Sequence, residues 1–259
     1  MEISSKAWTA YIDKLSALDK KAAKLIEDFI NGYGGLELTP RDELISYAHK
    51  VATKYGDGAA ALAAAMYDAI AYAQHADVDD AEMAETATYE ETARAINGAA
   101  KFSFDPVVIG GAVSRLVKMA GVDTTAKNAI RDNAEWAWVA EGDTCAYCLM
   151  AAAEGWHKAS KEAMNGNHAE HVHANCDCTY SVRFDKSSTV AGYNPDSYKR
   201  IVANADLDGQ PATNENVMNA LRREFYAENS EAINEQKRDA YEKRKERESS
   251  AAEEYAVGN

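Results

Sequence analysis

Proline occurs only 4 times in 259 residues, and that scarcity limits the fold more than any other feature. Proline stops an α-helix and alanine sustains one best. A proline-poor chain with recurrent alanine runs is therefore expected to be mainly α. The apolar spacing agrees. Trp8, Tyr11, Ile12, Leu15, Leu18, Leu25, Ile26 and Phe29 form a helical stripe close to a heptad from about Ser4 to Ile30, and Gly32, Gly34 and Gly35 end it.

Thr39-Pro40 has the form of an N-cap and first turn for a second helix bearing Leu44, Ile45, Ala48, Val51 and Ala52. Gly56 and Gly58 read as its break, with a further helix from Ala59 to about Gln74. The acidic, aperiodic residues from His75 to Thr86 read as a loop. Thr88-x-x-Glu91 resembles a capping box, and Asp105-Pro106 opens another helix that Gly121 is expected to close. Asp123 or Thr124 would then cap a helix carrying Ile130, Trp136, Trp138 and Val139. Tyr180, Val182 and Phe184 alternate as in a short strand. A long charged helix is expected from about Asn214 to Tyr255, with Val217, Leu221, Phe225, Ile233 and Tyr241 on it. The expected organisation is a multi-helix N-terminal region (1–122), a Trp helix and zinc-knuckle module with a short strand or hairpin (123–213), and a long C-terminal helix (214–259).

Charge narrows the function classes. The formal net charge is −14, so an acidic surface repels phosphate backbones and disfavours direct nucleic-acid binding. The basic residues Lys237, Arg238, Lys243, Arg244, Lys245 and Arg247 alternate with Glu235, Asp239, Glu242, Glu246 and Glu248, the pattern of a solvated helix face. The first residues, Met-Glu-Ile-Ser-Ser-Lys, lack the apolar stretch of a signal peptide, and no run of about 18 apolar residues suggests a membrane span. The expectation is synthesis in a reducing cytoplasm, where clustered cysteines point to metal rather than disulfides.

All 4 cysteines lie between Cys145 and Cys178, together with four of the 6 histidines: His157, His168, His171 and His173. Cys145-x-x-Cys148 is a common zinc half-site, because two intervening residues let one backbone turn present both sulfurs to one ion. After 24 residues, His173-x-x-Cys176-x-Cys178 can supply the other half. Five candidates thus compete for four tetrahedral positions, as Cys₄ or Cys₃His, and Asp177 or a carbonyl would suit the free ring N–H of a ligating histidine. Four protein ligands leave no open position for a substrate, so the zinc would be structural. Buried thiols or two disulfides are the plain alternatives. His157 and His168 read as ordinary exposed or locally bonded histidines. Trp136, Trp138 and Trp156 read as apolar cover for the sulfurs, with a base-stacking platform as the sharper alternative.

Two enzyme classes share parts of this pattern. His168-Ala-Glu170 matches the H-x-E of zinc deaminases, but there it precedes Pro-Cys-x-x-Cys; here the order is reversed and Thr144 precedes Cys145. His171, His173 and Asn175 suggest a His-Asn-His nuclease, but no ββα pattern follows. A cellular zinc-ribbon adaptor is a third possibility, without enzyme activity.

The run Asn133-Ala-Glu-Trp136-Ala-Trp138-Val-Ala-Glu-Gly-Asp-Thr-Cys145-Ala-Tyr-Cys148-Leu-Met-Ala-Ala-Ala-Glu-Gly155, with the later His173-Ala-Asn-Cys176-Asp-Cys178, resembles phage minor capsid proteins related to the Mu F-like head morphogenesis family. Gly192-Tyr193-Asn194-Pro195-x-x-Tyr198 and Leu221-Arg222-Arg223 resemble the same pattern, which spans about Asp123 to Tyr241. The His-, Asn- and Ala-rich loop before His173 departs from it. The resemblance implies a non-enzymatic virion component at the portal vertex or inner capsid face. Its partners would be portal, scaffold or major capsid protein, with packaged DNA nearby and self-association open.

Overall fold

The computed structural model describes residues 3–140, 145–160 and 178–227, together with residues 230, 234, 235, 238, 242 and 245. The protein is mainly α with one small sheet. The chain forms two compact units, residues 1–199 and 200–259.

The first unit is built on α1 (Ser5–Gly32), α2 (Arg41–Ala73), α3 (Tyr89–Ala100) and α4 (Pro106–Arg131), with a 3₁₀ turn at Leu36–Leu38. Short polar side chains start these helices. The Ser4 hydroxyl accepts from the Ala7 amide, and the Asp105 carboxylate accepts from Val107 ahead of Pro106. Thr88 and Glu91 form the expected reciprocal capping box. Thr39 differs from expectation: Pro40 holds the cap position of α2, and the Thr39 hydroxyl donates back to the Gly35 carbonyl at 2.7 Å.

Three expected glycine breaks are also corrected. α2 runs unbroken through Gly56 and Gly58, and α4 through Gly121. Each sits where another segment comes close. A Cβ on Gly56 would lie 2.9 Å from Thr86 Cγ2, on Gly58 3.2 Å from Leu18 Cδ1, and on Gly121 3.4 Å from the Ala59 carbonyl oxygen. Close helix packing outweighs a propensity cost of about 1 kcal/mol per glycine. Gly110 is tighter still: its Cβ would stand 2.8 Å from the backbone oxygen of Ala23 in α1. Gly110→Ala is expected to destabilise the chain by about 1–3 kcal/mol, because the obstacle is backbone and cannot rotate away. A urea-midpoint shift of that size would confirm it; a gain in stability would mean α1 and α4 separate easily.

The expected Trp helix is not present either. α4 ends in a Schellman motif with Asn133 left-handed (φ +53). Asn133 donates to the Ile130 carbonyl and Ala134 to the Ala129 carbonyl. The next five residues form β1 (Glu135–Val139), which is the centre of a sheet ordered β2-β1-β3. β2 (His157–Lys158) and β3 (Thr179–Arg183) both pair antiparallel to it. The alternation Trp-Ala-Trp-Val within a run flanked by a helix stop is a period-2 signal. Trp136 pairs with Val182 and Trp138 with Tyr180, placing these large residues on one face. Phe184 continues that face and meets Tyr67 of α2 edge-on, with centroids 5.5 Å apart.

The acidic loop after α2 is held by side chains. Asn128 of α4, fully buried, accepts from the Glu82 amide and donates to the Glu82 carbonyl; Thr124 accepts from Ala84, and Asp68 accepts from Ala81. Two apolar clusters result. One joins the starts of α1 and the ends of α2 and α4 to the sheet. The other fills the opposite half of the bundle around Ile26, Leu44, Ile96, Ile109 and Val113. Between them Lys118 of α4 pairs with Asp19 of α1 at 2.9 Å.

α6 (Pro195–Ala203) leads into the second unit. There a helix over residues 214–227, α7, starts where expected, with Thr213 accepting from Asn216. Arg223 donates to the Asp206 carbonyl and Glu224 accepts from the Asp206 amide, folding α7 back on the preceding turn. Most of the expected helix beyond residue 227 lies outside the described residues.

Candidate metal centre

Cys145 and Cys148 stand at the start of α5 (Ala146–Glu154). Cys145 occupies the N-cap with extended backbone and Cys148 the third helical position. This is the same positional relation that lets Thr88 and Glu91 meet, since N-cap and N3 side chains share one side of the first turn. The two Sγ atoms are 3.5 Å apart. Thiolates bound at about 2.3 Å in a tetrahedral zinc shell stand roughly 3.8 Å apart, so the pair fits two positions of such a shell. A disulfide would need about 2.05 Å.

Cys178 directly precedes β3 and is buried in the same apolar cluster as Cys148, Trp136, Trp138 and Tyr180. The register explains why it is near. Thr179 pairs with Val139, the last residue of β1, and β1 leads within a few residues to Cys145. The antiparallel pairing therefore brings the chain on either side of the long cysteine interval to one end of the sheet. His173 and Cys176 lie outside the described residues, as do His168, Glu170, His171, Asn175 and Asp177. Among the described residues, no group of three or more His, Cys, Asp or Glu is placed to hold an ion.

The module is clamped from behind by residues downstream. The Tyr193 hydroxyl donates to the Ala152 carbonyl of α5 at 2.5 Å, and the Tyr198 hydroxyl to the Ala140 carbonyl at 3.2 Å. Trp156 packs edge-on against Tyr193, and the Arg183 guanidinium lies over the Trp156 ring at 4.8 Å while bonding Glu135 at 2.7 Å. Gly155, with φ +86, ends α5 against the Pro195 ring; only glycine adopts that conformation without strain. Trp136 and Trp138 are buried, so they serve as core and offer no stacking platform. His157 is exposed in β2 beside Glu154 at 3.6 Å, as an ordinary surface histidine. Nothing in the local spacing of Tyr193 and Tyr198 signals this clamp beyond their family resemblance.

A concavity of about 470 Å³ lies between the acidic loop, α3 and α4. It is lined by Glu85, Glu91, Arg94, Arg115 and Asp123, among others. Burial, with a smaller contribution from Glu91, pushes Asp123 up to about 6. The folded state thus binds a proton more tightly than the unfolded chain. Stability from this group is complete below about pH 4 and is lost as pH rises through 6. Asp123→Asn is expected to gain up to about 3 kcal/mol at pH 7 and nearly nothing at pH 4. Denaturation midpoints at the two pH values check this; an equal effect at both would exclude the titration.

A family model described as VG15 protein matches residues 2–205. No curated protein and no solved structure matches the chain. Among the described residues, no helix is long and apolar enough to cross a membrane.

Proposed function

The chain belongs to the VG15 protein family, a phage-related family, and from that premise we propose that it is a minor capsid or head-morphogenesis protein of a tailed phage or prophage. It acts through protein–protein contacts and has no enzymatic role. Its cysteine module holds one structural Zn²⁺ through Cys145, Cys148 and two of His173, Cys176 and Cys178. Its partners are portal, scaffold or major capsid protein, and its place is the capsid interior or portal vertex after assembly in the host cytoplasm. The observation that carries the zinc reading is the 3.5 Å approach of two sulfurs at a helix N-terminus, on a module that the sheet and the Tyr193–Tyr198 clamp hold in place. When bound, the ion closes the loop between the two half-sites and supplies folding energy there.

Elemental analysis of the purified chain tests the metal. About one zinc per chain is expected, lost together with cooperative folding in Cys145→Ser. His173→Ala then separates Cys₃His from Cys₄. Absence of zinc from chelator-free protein would remove the metal. Immunoblotting of purified particles tests the assignment to the virion, and a chain found only in the unassembled fraction would sink it.

A further inference from the structure

α4 runs antiparallel to α1, since Gly110 lies against Ala23 and Lys118 pairs with Asp19. It runs parallel to α2, since Gly121 lies against Ala59 and Tyr67 bonds Asp132. The α1–α2 and α3–α4 connections therefore share one end of the bundle. Arg41, at the start of α2, confirms this by bonding Asn97 and the Ile96 carbonyl near the end of α3. This is the end remote from the sheet, and it is where large apolar side chains are left in solvent. Phe102 is 90% exposed, Leu38 69%, Phe104 63% and Val107 58%. Single exposed apolar residues need no explanation, but two phenylalanines and their neighbours grouped on one end do.

The charges around this end are mostly of one sign. Glu37, Asp42, Glu43 and Asp105 are exposed there, and Asp105 is close enough to Glu27 of α1 to help raise its pKa, after the larger effects of burial and Asp28. Of the nearby bases, Lys24 is paired with Asp28; Arg41, held by the neutral Asn97 amide, and Lys101 leave two positive charges against these four carboxylates. A second copy would bring the same acidic rim onto itself within a chain of net charge −14, and anionic lipid or nucleic acid would be repelled likewise. We propose that this end of the bundle, centred on Phe102 and Phe104, is a docking surface for a protein segment whose apolar contact residues are flanked by lysine and arginine. It requires neither the zinc nor the capsid reading.

Two synthetic amphipathic helical peptides with the same leucine face test the proposal, one with lysine and one with glutamate on the polar face. The full-length chain is expected to bind the lysine peptide and not the glutamate peptide. Phe102→Ser/Phe104→Ser, which leaves the charge unchanged and alters only exposed side chains, should weaken that binding roughly tenfold or more. Circular dichroism of the double variant confirms that it folds. Undiminished lysine-peptide binding in the variant would overturn the proposal, reducing it to general attraction to an acidic surface. Equal binding of both peptides, or of neither, would overturn it too. So would a wild-type dimer in sedimentation that the double variant abolishes, because the occupant would then be a second copy.

Discussion

Lys118→Met is expected to destabilise the chain by about 3–5 kcal/mol, because it removes the cation bonded to the buried Asp19 carboxylate. The side chains of Lys118 and Asp19 are only 11% and 2% exposed, so water cannot take over. The pair itself is a different matter. Two desolvated charges cost nearly what their attraction returns, so Asp19→Leu combined with Lys118→Met is expected to recover most or all of the loss. Urea denaturation of the two variants reads both effects. If the single variant loses less than about 1 kcal/mol, Asp19 is reached by water or neutralised another way. If the double variant stays as unstable as the single, the ion pair contributes net stability, which few buried pairs do. Its position between the two apolar clusters also fixes how α1 and α4 slide against each other, since either helix shifted by one turn would bury two separated charges.

Trp136→Ala should cost about 3–5 kcal/mol, the range for emptying a buried aromatic site. Trp136 sits in the middle strand, meets Tyr180 at 4.8 Å in a T-shaped contact and lies beside the His157 ring at 5.7 Å. Its removal leaves a void that β2 and β3 cannot both close. Trp136→Phe should lose far less, about 1–2 kcal/mol, because the ring and its edge contact survive in part. Calorimetry of the two variants separates these values. Equal, small losses would mean that the sheet packs loosely and that the helical bundle alone carries the stability.

Two helix starts were legible because their side chains act on their own turn. The Thr88–Glu91 box and the Asp105-Pro106 start depend on neighbours within three residues, and both formed as read. One error was local, the Thr39 hydroxyl turning back to Gly35 and leaving the cap to Pro40; the others came where distant contacts decide. Gly56, Gly58 and Gly121 carry a breaker's propensity, but each faces another segment at near-contact distance, which no local window contains. Trp136 and Trp138 read as the end of a helix capped by Asp123 or Thr124 and running through Ile130. The stop lay in Asp132 and Asn133, and the Trp-Ala-Trp alternation was the strand signal that should have outweighed continuity. At the candidate metal centre the Cys145-x-x-Cys148 spacing and the small-residue helix ending at Gly155 were readable. The tyrosine clamp was not, because a hydroxyl reaching a carbonyl 41 residues away leaves no trace in spacing.

The strand order has one practical consequence. β2 and β3 flank the same central strand, Lys158 opposite Glu135 and Thr179 opposite Val139. Every amide of Glu135–Val139 thus lies in the middle of the sheet, and hydrogen exchange at those five positions reads the integrity of both pairings at once, apart from the helical bundle.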